Sequence, residues 1–422
     1  MRNIVSFANT RRALVAAALL VPASQAQATD GYFLHGVGAG AKGAGGVAIA
    51  MPQDAAAIAT NPATATAIEH RLDIGVDVFI PDRGAEIESN AFGLDGQYSG
   101  NGANPFVLGD VAYVRPLSDR VSVGIALYAN GGMNTVYKTN PLAPFGAPQA
   151  GGVDLKQGFI VPSVAVKFAD NHSVGVSAVG LVQSFRAYGV GPFAGFSQDP
   201  ANFSDRGDDW AFGVGFKVGY YGTFGDRVSI GAFYQSKVDA QKFDKYAGLF
   251  ENGGDFDVPA SWGVGASVKV SDRLTLGADF KRIEYSGVEA VGNSITRVFD
   301  GVPFGAVDGP GFGWRDISVI KTGAVWRASD TLTLRAGYGR SENPIPGGET
   351  LMNVFAPGVV QDHFTLGATV ALSDKLELSA HAMRAPGNWV EGANSIPANF
   401  GGGEANIFLA ETAFGAALGI KF

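Results

Sequence analysis

Apolar residues recur at every second position through much of this 422-residue chain, the spacing of strands with one apolar face. Leu72, Ile74, Val76, Val78 and Ile80 open the series. Val121, Val123, Ile125 and Leu127 repeat it, as do Trp210, Phe212, Val214, Phe216 and Val218. Trp262, Val264, Ala266, Val268 and Val270 continue it, and Leu274, Leu276, Ala278 and Phe280 follow after a short break. The alternate positions hold mainly Ser, Gly, Asp, Lys and Thr.

The links between these runs alternate between tight and long. Ser118-Asp119-Arg120, Ala169-Asp170-Asn171, Gly225-Asp226-Arg227, Ser271-Asp272-Arg273, Ser329-Asp330-Thr331 and Ser373-Asp374-Lys375 share an Asp-centred signature, in which short polar side chains bond their own backbone to make a turn. Between them lie longer Gly-, Pro-, Asn- and Asp-rich segments such as 82–105, 187–207, 286–313 and 385–411. Counting between links predicts about 14 strands, near residues 71–81, 106–115, 121–135, 153–168, 173–185, 209–222, 227–237, 256–270, 274–285, 314–327, 332–340, 362–372, 376–384 and 412–422. Short turns at one end and long loops at the other describe a transmembrane β-barrel. In lipid the sheet must close, because an open edge would leave backbone groups without partners.

Composition and the chain ends sharpen this. Arg2, Arg11 and Arg12, the apolar run 13–21 and the small-residue step Ala26-Gln27-Ala28 form a secretory signal peptide over residues 1–28, with cleavage expected after Ala28. No later stretch approaches 18 consecutive apolar residues, which excludes a helical membrane protein. The abundance of Gly (60) and Phe (29) suits strands and turns, and the absence of Cys excludes a disulfide framework. Without its signal the chain keeps 28 basic against 39 acidic side chains, a net charge of −11 that argues against nucleic acid as a partner. The last strand places Phe414, Ala416, Leu418, Ile420 and Phe422 on one face and ends on the aromatic residue, an ending that resembles the assembly signal of bacterial outer-membrane barrels.

Residues 29–70 precede the strands and differ from them. They contain Gly31-Tyr32-Phe33-Leu34-His35-Gly36, a Gly/Ala-rich stretch over 38–46, Gln53-Asp54-Ala55-Ala56 and Asn61-Pro62-Ala63. Together with Trp314-Arg315-Asp316, Leu334-Arg335-Ala336-Gly337-Tyr338 and Asn343-Pro344-Ile345-Pro346, this order of motifs resembles the FadL/TodX family of outer-membrane transport proteins over essentially the whole mature chain. The resemblance implies an all-β membrane fold: a 14-stranded antiparallel barrel over residues 71–422, plugged by a small N-terminal helical hatch over 29–70. It also implies an uptake channel for hydrophobic small molecules, long-chain fatty acids first and aromatic or aliphatic hydrocarbons as the alternative. Ligand would be caught by the long loops, held in an apolar interior pocket and released sideways into the membrane. Outer-membrane lipid, lipopolysaccharide and the barrel assembly machinery are the implied partners.

On the same resemblance Tyr32, Phe33 and Leu34 are candidate pocket contacts. Paired glycine in a strand marks a bulge or bend, so Asn130-Gly131-Gly132 either kinks the third strand inward or ends it; the resemblance favours the kink. Asn61-Pro62-Ala63 is a hatch motif whose physical role is a turn, since Pro disfavours helix in the residue before it. A fatty-acid carboxylate calls for an interior cation. If even positions face lipid on the later strands, Lys281, Lys321, Arg327 and Arg335 point inward, and Lys321 and Arg335 are the preferred partners; interior acids such as Asp279 or Asp54 would compete for them. Loop residues Pro141, Leu142, Pro144, Phe145, Phe193, Phe196, Phe203, Leu249 and Phe250 either form a capture surface or pack the loops together.

Two other functions are weighed. A lipid hydrolase would need a Ser/His/Asp or metal motif, and the five histidines, His35, His70, His172, His363 and His381, sit in none; no enzyme activity, cofactor or metal is expected. A hydrophilic porin would need a polar open lumen, whereas the inward positions here are often Gly, Ala and Ser and a 42-residue segment is available as a plug.

Overall fold

A computed structural model describes residues 30–422; the signal peptide lies outside the described residues. Fourteen long strands form one antiparallel wall. They are β1 Arg71–Glu88, β2 Phe106–Pro116, β3 Val121–Tyr137, β4 Gly151–Ala169, β5 His172–Tyr188, β6 Asp209–Phe224, β7 Val228–Gln235, β8 Ser261–Lys269, β9 Leu274–Ile283, β10 Ile317–Arg327, β11 Leu332–Ser341, β12 Asp362–Ser373, β13 Leu376–Val390 and β14 Glu404–Lys421. Each pairs with its sequence neighbour, and β14 returns to pair with β1, so the sheet closes. Two short strand pieces in the loops, Gly96–Ser99 and Asp239–Ala240, add to its rim.

The alternation sets the two faces. Ile74, Val76, Trp210, Phe212, Val214, Val264 and Leu276 are exposed on the outside, while Asp73, Asp77, Ala211, Lys217, Ser267 and Asp279 on the same strands are buried inside. In water such an apolar belt would be a liability, whereas each large side chain gains roughly 1.5–3 kcal/mol on transfer to hydrocarbon. Among the described residues no helix is long and apolar enough to cross a membrane.

Three strands extend further than their lipid-facing alternation predicts. β1 continues to Glu88 rather than stopping near 81, β13 runs to Val390 rather than 384, and β14 begins at Glu404 rather than 412. In the added stretches the apolar residues Ala85, Ile87, Ala405, Ile407 and Leu409 face inward, and outward positions such as Asp82, Glu86 and Glu88 are polar, so no lipid-facing row marks them; Pro81 to Glu88 lie opposite Glu411 to Glu404 in unbroken register. Backbone pairing, not the side-chain pattern, carries the wall onward there.

Residues 30–70 fill the lumen. They hold a five-residue helix, Ala39–Gly43, and two 3-10 turns, Ala55–Ala59 and Pro62–Ala67, and nearly every residue is buried. The helix packs on β11 to β14, whereas the second turn packs on β2 to β6, so opposite sides of the wall touch the segment. Glycine makes this possible. A Cβ on Gly337 would lie 2.0 Å from the Gly45 nitrogen, and one on Gly323 2.3 Å from the Ala44 carbonyl oxygen. Backbone therefore meets backbone with no side chain between.

Candidate ligand cavity and strand opening

β3 pairs with β2 only from Ser122 to Tyr128, opposite Pro116 to Asp110. Beyond that point it stays paired with β4, but the register slips between Ala129 and Gly131, leaving Asn130 as the extra residue of a bulge. A bulge bends its strand. Residues 32–34 of the N-terminal segment occupy the edge that β2 gives up. Leu34 N donates to the Asn130 carbonyl at 3.1 Å, Gly132 N donates to the Tyr32 carbonyl at 3.0 Å, and Phe33 bridges Gly131. A Cβ on Gly131 would lie 1.7 Å from the Tyr32 carbonyl oxygen, so this approach requires glycine.

The departure of β3 leaves a cleft of about 360 Å³ lined by Phe79, Phe106, Met133, Leu409, Arg83 and Glu411 among others. Arg83 spans it, with Nη2 donating to Asn134 Oδ1 at 2.7 Å and to the Ala103 carbonyl at 3.1 Å. Glu411 is fully buried, and neither carboxylate oxygen has a hydrogen-bond partner.

On the other side of the bulge lies a larger cavity of about 610 Å³. Its apolar lining comes from Phe33, Leu34, Val37, Ile49, Tyr128 and Phe233. Lys217, Lys281 and Lys321 supply cations and Asp279 one carboxylate. Lys321 Nζ donates to Asp30 Oδ2 at 2.7 Å and to the His35 carbonyl at 2.5 Å. Lys281 Nζ lies 4.9 Å from the centre of the Phe33 ring, within reach of a cation–π attraction. Lys217 donates to the Ala59 carbonyl. Asp279 Oδ2 accepts from Ala48 N at 2.8 Å and Ile49 N at 3.0 Å. Asp30 engages Lys321, while Lys217 and Lys281 meet only a carbonyl and an aromatic face, an excess of amines that favours an anionic headgroup beside the apolar lining.

The candidate residues thus separate. Phe33, Leu34, Lys321 and Asn130 line the cavity. Tyr32 instead packs at ring-centre distances of 5.2 to 5.8 Å from Phe33, Tyr285 and Trp314, with its backbone N donating to Tyr285 Oη. Gly132 lines the cleft and Gly131 meets the N-terminal segment. Arg335 points inward, but away from the cavity lining: Nε donates to Gln53 Oε1, and Nη1 to Thr369 Oγ1 at 2.6 Å. Asn61 caps the second 3-10 turn, its Nδ2 donating to the Ile49 and Tyr220 carbonyls, while Pro62 and Ala63 lie against Gly175. Lys321 bonds Asp30 rather than the competing acids Asp279 or Asp54 that the sequence suggests. Lys217 was missed, although the rule that exposed Lys281 finds it: Trp210 to Val218 face outward at even positions, so 217 faces in.

The loop aromatics pack together above the cavity. Phe145, Phe193, Phe196 and Phe299 surround Phe400 at 5.6 to 6.1 Å. Phe203 packs on Phe304 and Phe250 on Phe185. Next to Phe250, Glu251 is buried near Asp255 and Glu289; burial first, and then those carboxylates, push its carboxyl up to about 7.

Comparison with known proteins matches residues 19–384 to a family described as outer membrane protein transport protein (OMPP1/FadL/TodX). The 47 kDa outer membrane protein of Pasteurella multocida (strain Pm70) is 25% identical over 404 residues, covering 87% of this chain and 89% of that protein. A Pseudomonas aeruginosa FadL homologue superposes with a TM-score of 0.71 at 17% identity, over 93% of this chain and all of the other. The P. putida toluene transporter TodX superposes with a TM-score of 0.68 at 16% identity, over 92% of this chain and 99% of the other. At these identities the two structures establish a shared fold.

Proposed function

The chain belongs to the OMPP1/FadL/TodX family of outer membrane transport proteins, and from that premise we propose that it takes up long-chain fatty acids, holding them in the apolar cavity and releasing them sideways between β2 and β3. One observation carries this reading. The same cavity joins an apolar lining to Lys217, Lys281 and Lys321 and reaches Asn130 of the bulge, behind which the wall is unpaired. A carboxylate could meet the amines while its tail lies along Phe33 and Leu34. The cleft beside Phe79 and Phe106 would pass the molecule on toward the membrane. No step is catalytic. Lipid and lipopolysaccharide would surround the apolar belt, and Phe422 would serve the barrel assembly machinery.

A second reading has its own support: a solved relative of the same fold is a toluene transporter, and an uncharged ring would need only the apolar half of the cavity. Binding of a labelled long-chain fatty acid to the purified barrel separates the two. Saturable binding, weakened roughly tenfold by Lys281→Met or Lys321→Met and not by Arg335→Met, is expected for the carboxylate reading. Displacement by toluene, with no effect of the lysine substitutions, would favour a hydrocarbon channel. Absence of binding for both ligands would remove the uptake reading.

A further inference from the structure

Beside the cavity, three side chains from separate parts of the chain converge. Asp30 and His35 belong to the N-terminal segment, and His363 is the second residue of β12. Their potential ligand atoms all lie within 4.8 Å of one another, and all three residues are buried. The two imidazoles stack with ring centres 4.8 Å apart. Neither nitrogen of either ring has a hydrogen-bond partner, and Asp30 Oδ1 has none. A buried polar atom left unpaired is destabilising, so five such atoms in one place call for a common partner.

We propose that Asp30, His35 and His363 form a binding site for a divalent transition-metal ion of the Zn²⁺ or Ni²⁺ class. Two imidazoles and one carboxylate suit these ions, whereas Ca²⁺ and Mg²⁺ take oxygen ligands. Metal–ligand bonds of about 2.0–2.2 Å require the donor atoms to draw together by about an ångström, a change that side-chain rotation supplies. Lys321 already holds Asp30 Oδ2, so Oδ1 is the oxygen left for the ion. Asp279, directly opposite Lys321 on the neighbouring strand β9, keeps its own Oδ1 unpartnered and offsets the added positive charge. His35 lines the cavity, which gives water or a carboxylate ligand access to a remaining coordination position.

The ion would fasten residues 30–35 to β12. Residues 32–34 are also the ones that hold β3 away from β2, so metal occupancy would fix the opening in place. The inference is independent of which hydrophobic substrate is carried. None of the sequence motifs could reveal it, because its ligands stand at positions 30, 35 and 363.

Untagged protein, stripped with a chelator and titrated with Co²⁺, tests the site. We expect one ion per chain by elemental analysis and visible d–d absorption bands. His35→Gln and His363→Gln should each weaken binding more than about tenfold, with unchanged mobility of the unheated barrel on a denaturing gel as the check on folding. Slower amide exchange over residues 30–35 on adding Zn²⁺ should follow, and be lost in His363→Gln. No stoichiometric ion, or binding unchanged in both variants and therefore owed to His70, His172 or His381, would overturn the proposal.

Discussion

Two seams in the same wall behave oppositely. β1 and β14 pair along 18 residues from Arg71↔Lys421 to Glu88↔Glu404, while β2 and β3 pair along only 7, from Asp110↔Tyr128 to Pro116↔Ser122. Strand length does not explain this, since β3 spans 17 residues. The difference is a competing partner. At the β1–β14 seam nothing else offers backbone groups, and the ladder runs to its end. At the β2–β3 seam the bulge at Asn130 turns β3 inward and residues 32–34 satisfy its freed groups. An opening in a membrane barrel is tolerable only where something else satisfies the unpaired backbone.

The largest expected effect comes from removing that partner. Gly131→Val forces the Tyr32 carbonyl away and costs the two hydrogen bonds that hold the segment, so uptake of the proposed fatty-acid ligand by cells should fall on the order of tenfold while the barrel stays closed. Full uptake by this variant would show that residues 32–34 do not set the opening. Arg83→Met should act less strongly. It removes the bridge to Asn134 and Ala103 across the cleft, and stopped-flow release of a fluorescent fatty acid should change severalfold (roughly three- to fivefold) at unchanged equilibrium affinity. A change in affinity instead would place Arg83 in the binding step.

The loop between β7 and β8 should respond more weakly, through pH. Glu251 is held protonated by burial, so its folded carboxyl titrates near 7 rather than near 4.5. Its contribution to loop packing is complete below about 4.5 and is lost as pH rises through about 7. Amide exchange over residues 244–257, corrected for the intrinsic rate, should accelerate across that window, and Glu251→Gln should flatten the response. The smallest effect belongs to the closed seam. Ile74→Ala trims a lipid-facing side chain beside Leu418 without touching the ladder, and uptake should stay within about twofold. A large loss there would mean that transport depends on the whole wall and not on the β2–β3 gap.

How legible each part was follows from the range of the interactions behind it. The lipid-facing rows such as Trp210 to Val218 and the Asp-centred turns are local, and the sequence displays them directly. The glycine pair at 131 and 132 marked the bulge, although not the partner that fills it. The outer ends of β1 and β14 are harder to read, because there the outward row is no longer apolar and only inward residues such as Ile87, Ile407 and Leu409 keep the alternation. Arg335 and Lys321 look equivalent in sequence, since both point inward; the residue of the N-terminal segment opposite each one separates them, Gln53 for Arg335 and Asp30 for Lys321.

The sequence by itself therefore determined the wall: which segments are strands, which face meets lipid, and where the turns fall, because a period of two is set by each strand alone. Only the tertiary structure decided what the interior does. Closing the barrel and threading residues 30–70 through it bring Asp30, His35, Lys321 and His363 together and let Tyr32 to Leu34 replace a strand edge. Those contacts span about 100 to more than 300 positions of sequence, a distance at which neither periodicity nor motif spacing carries information.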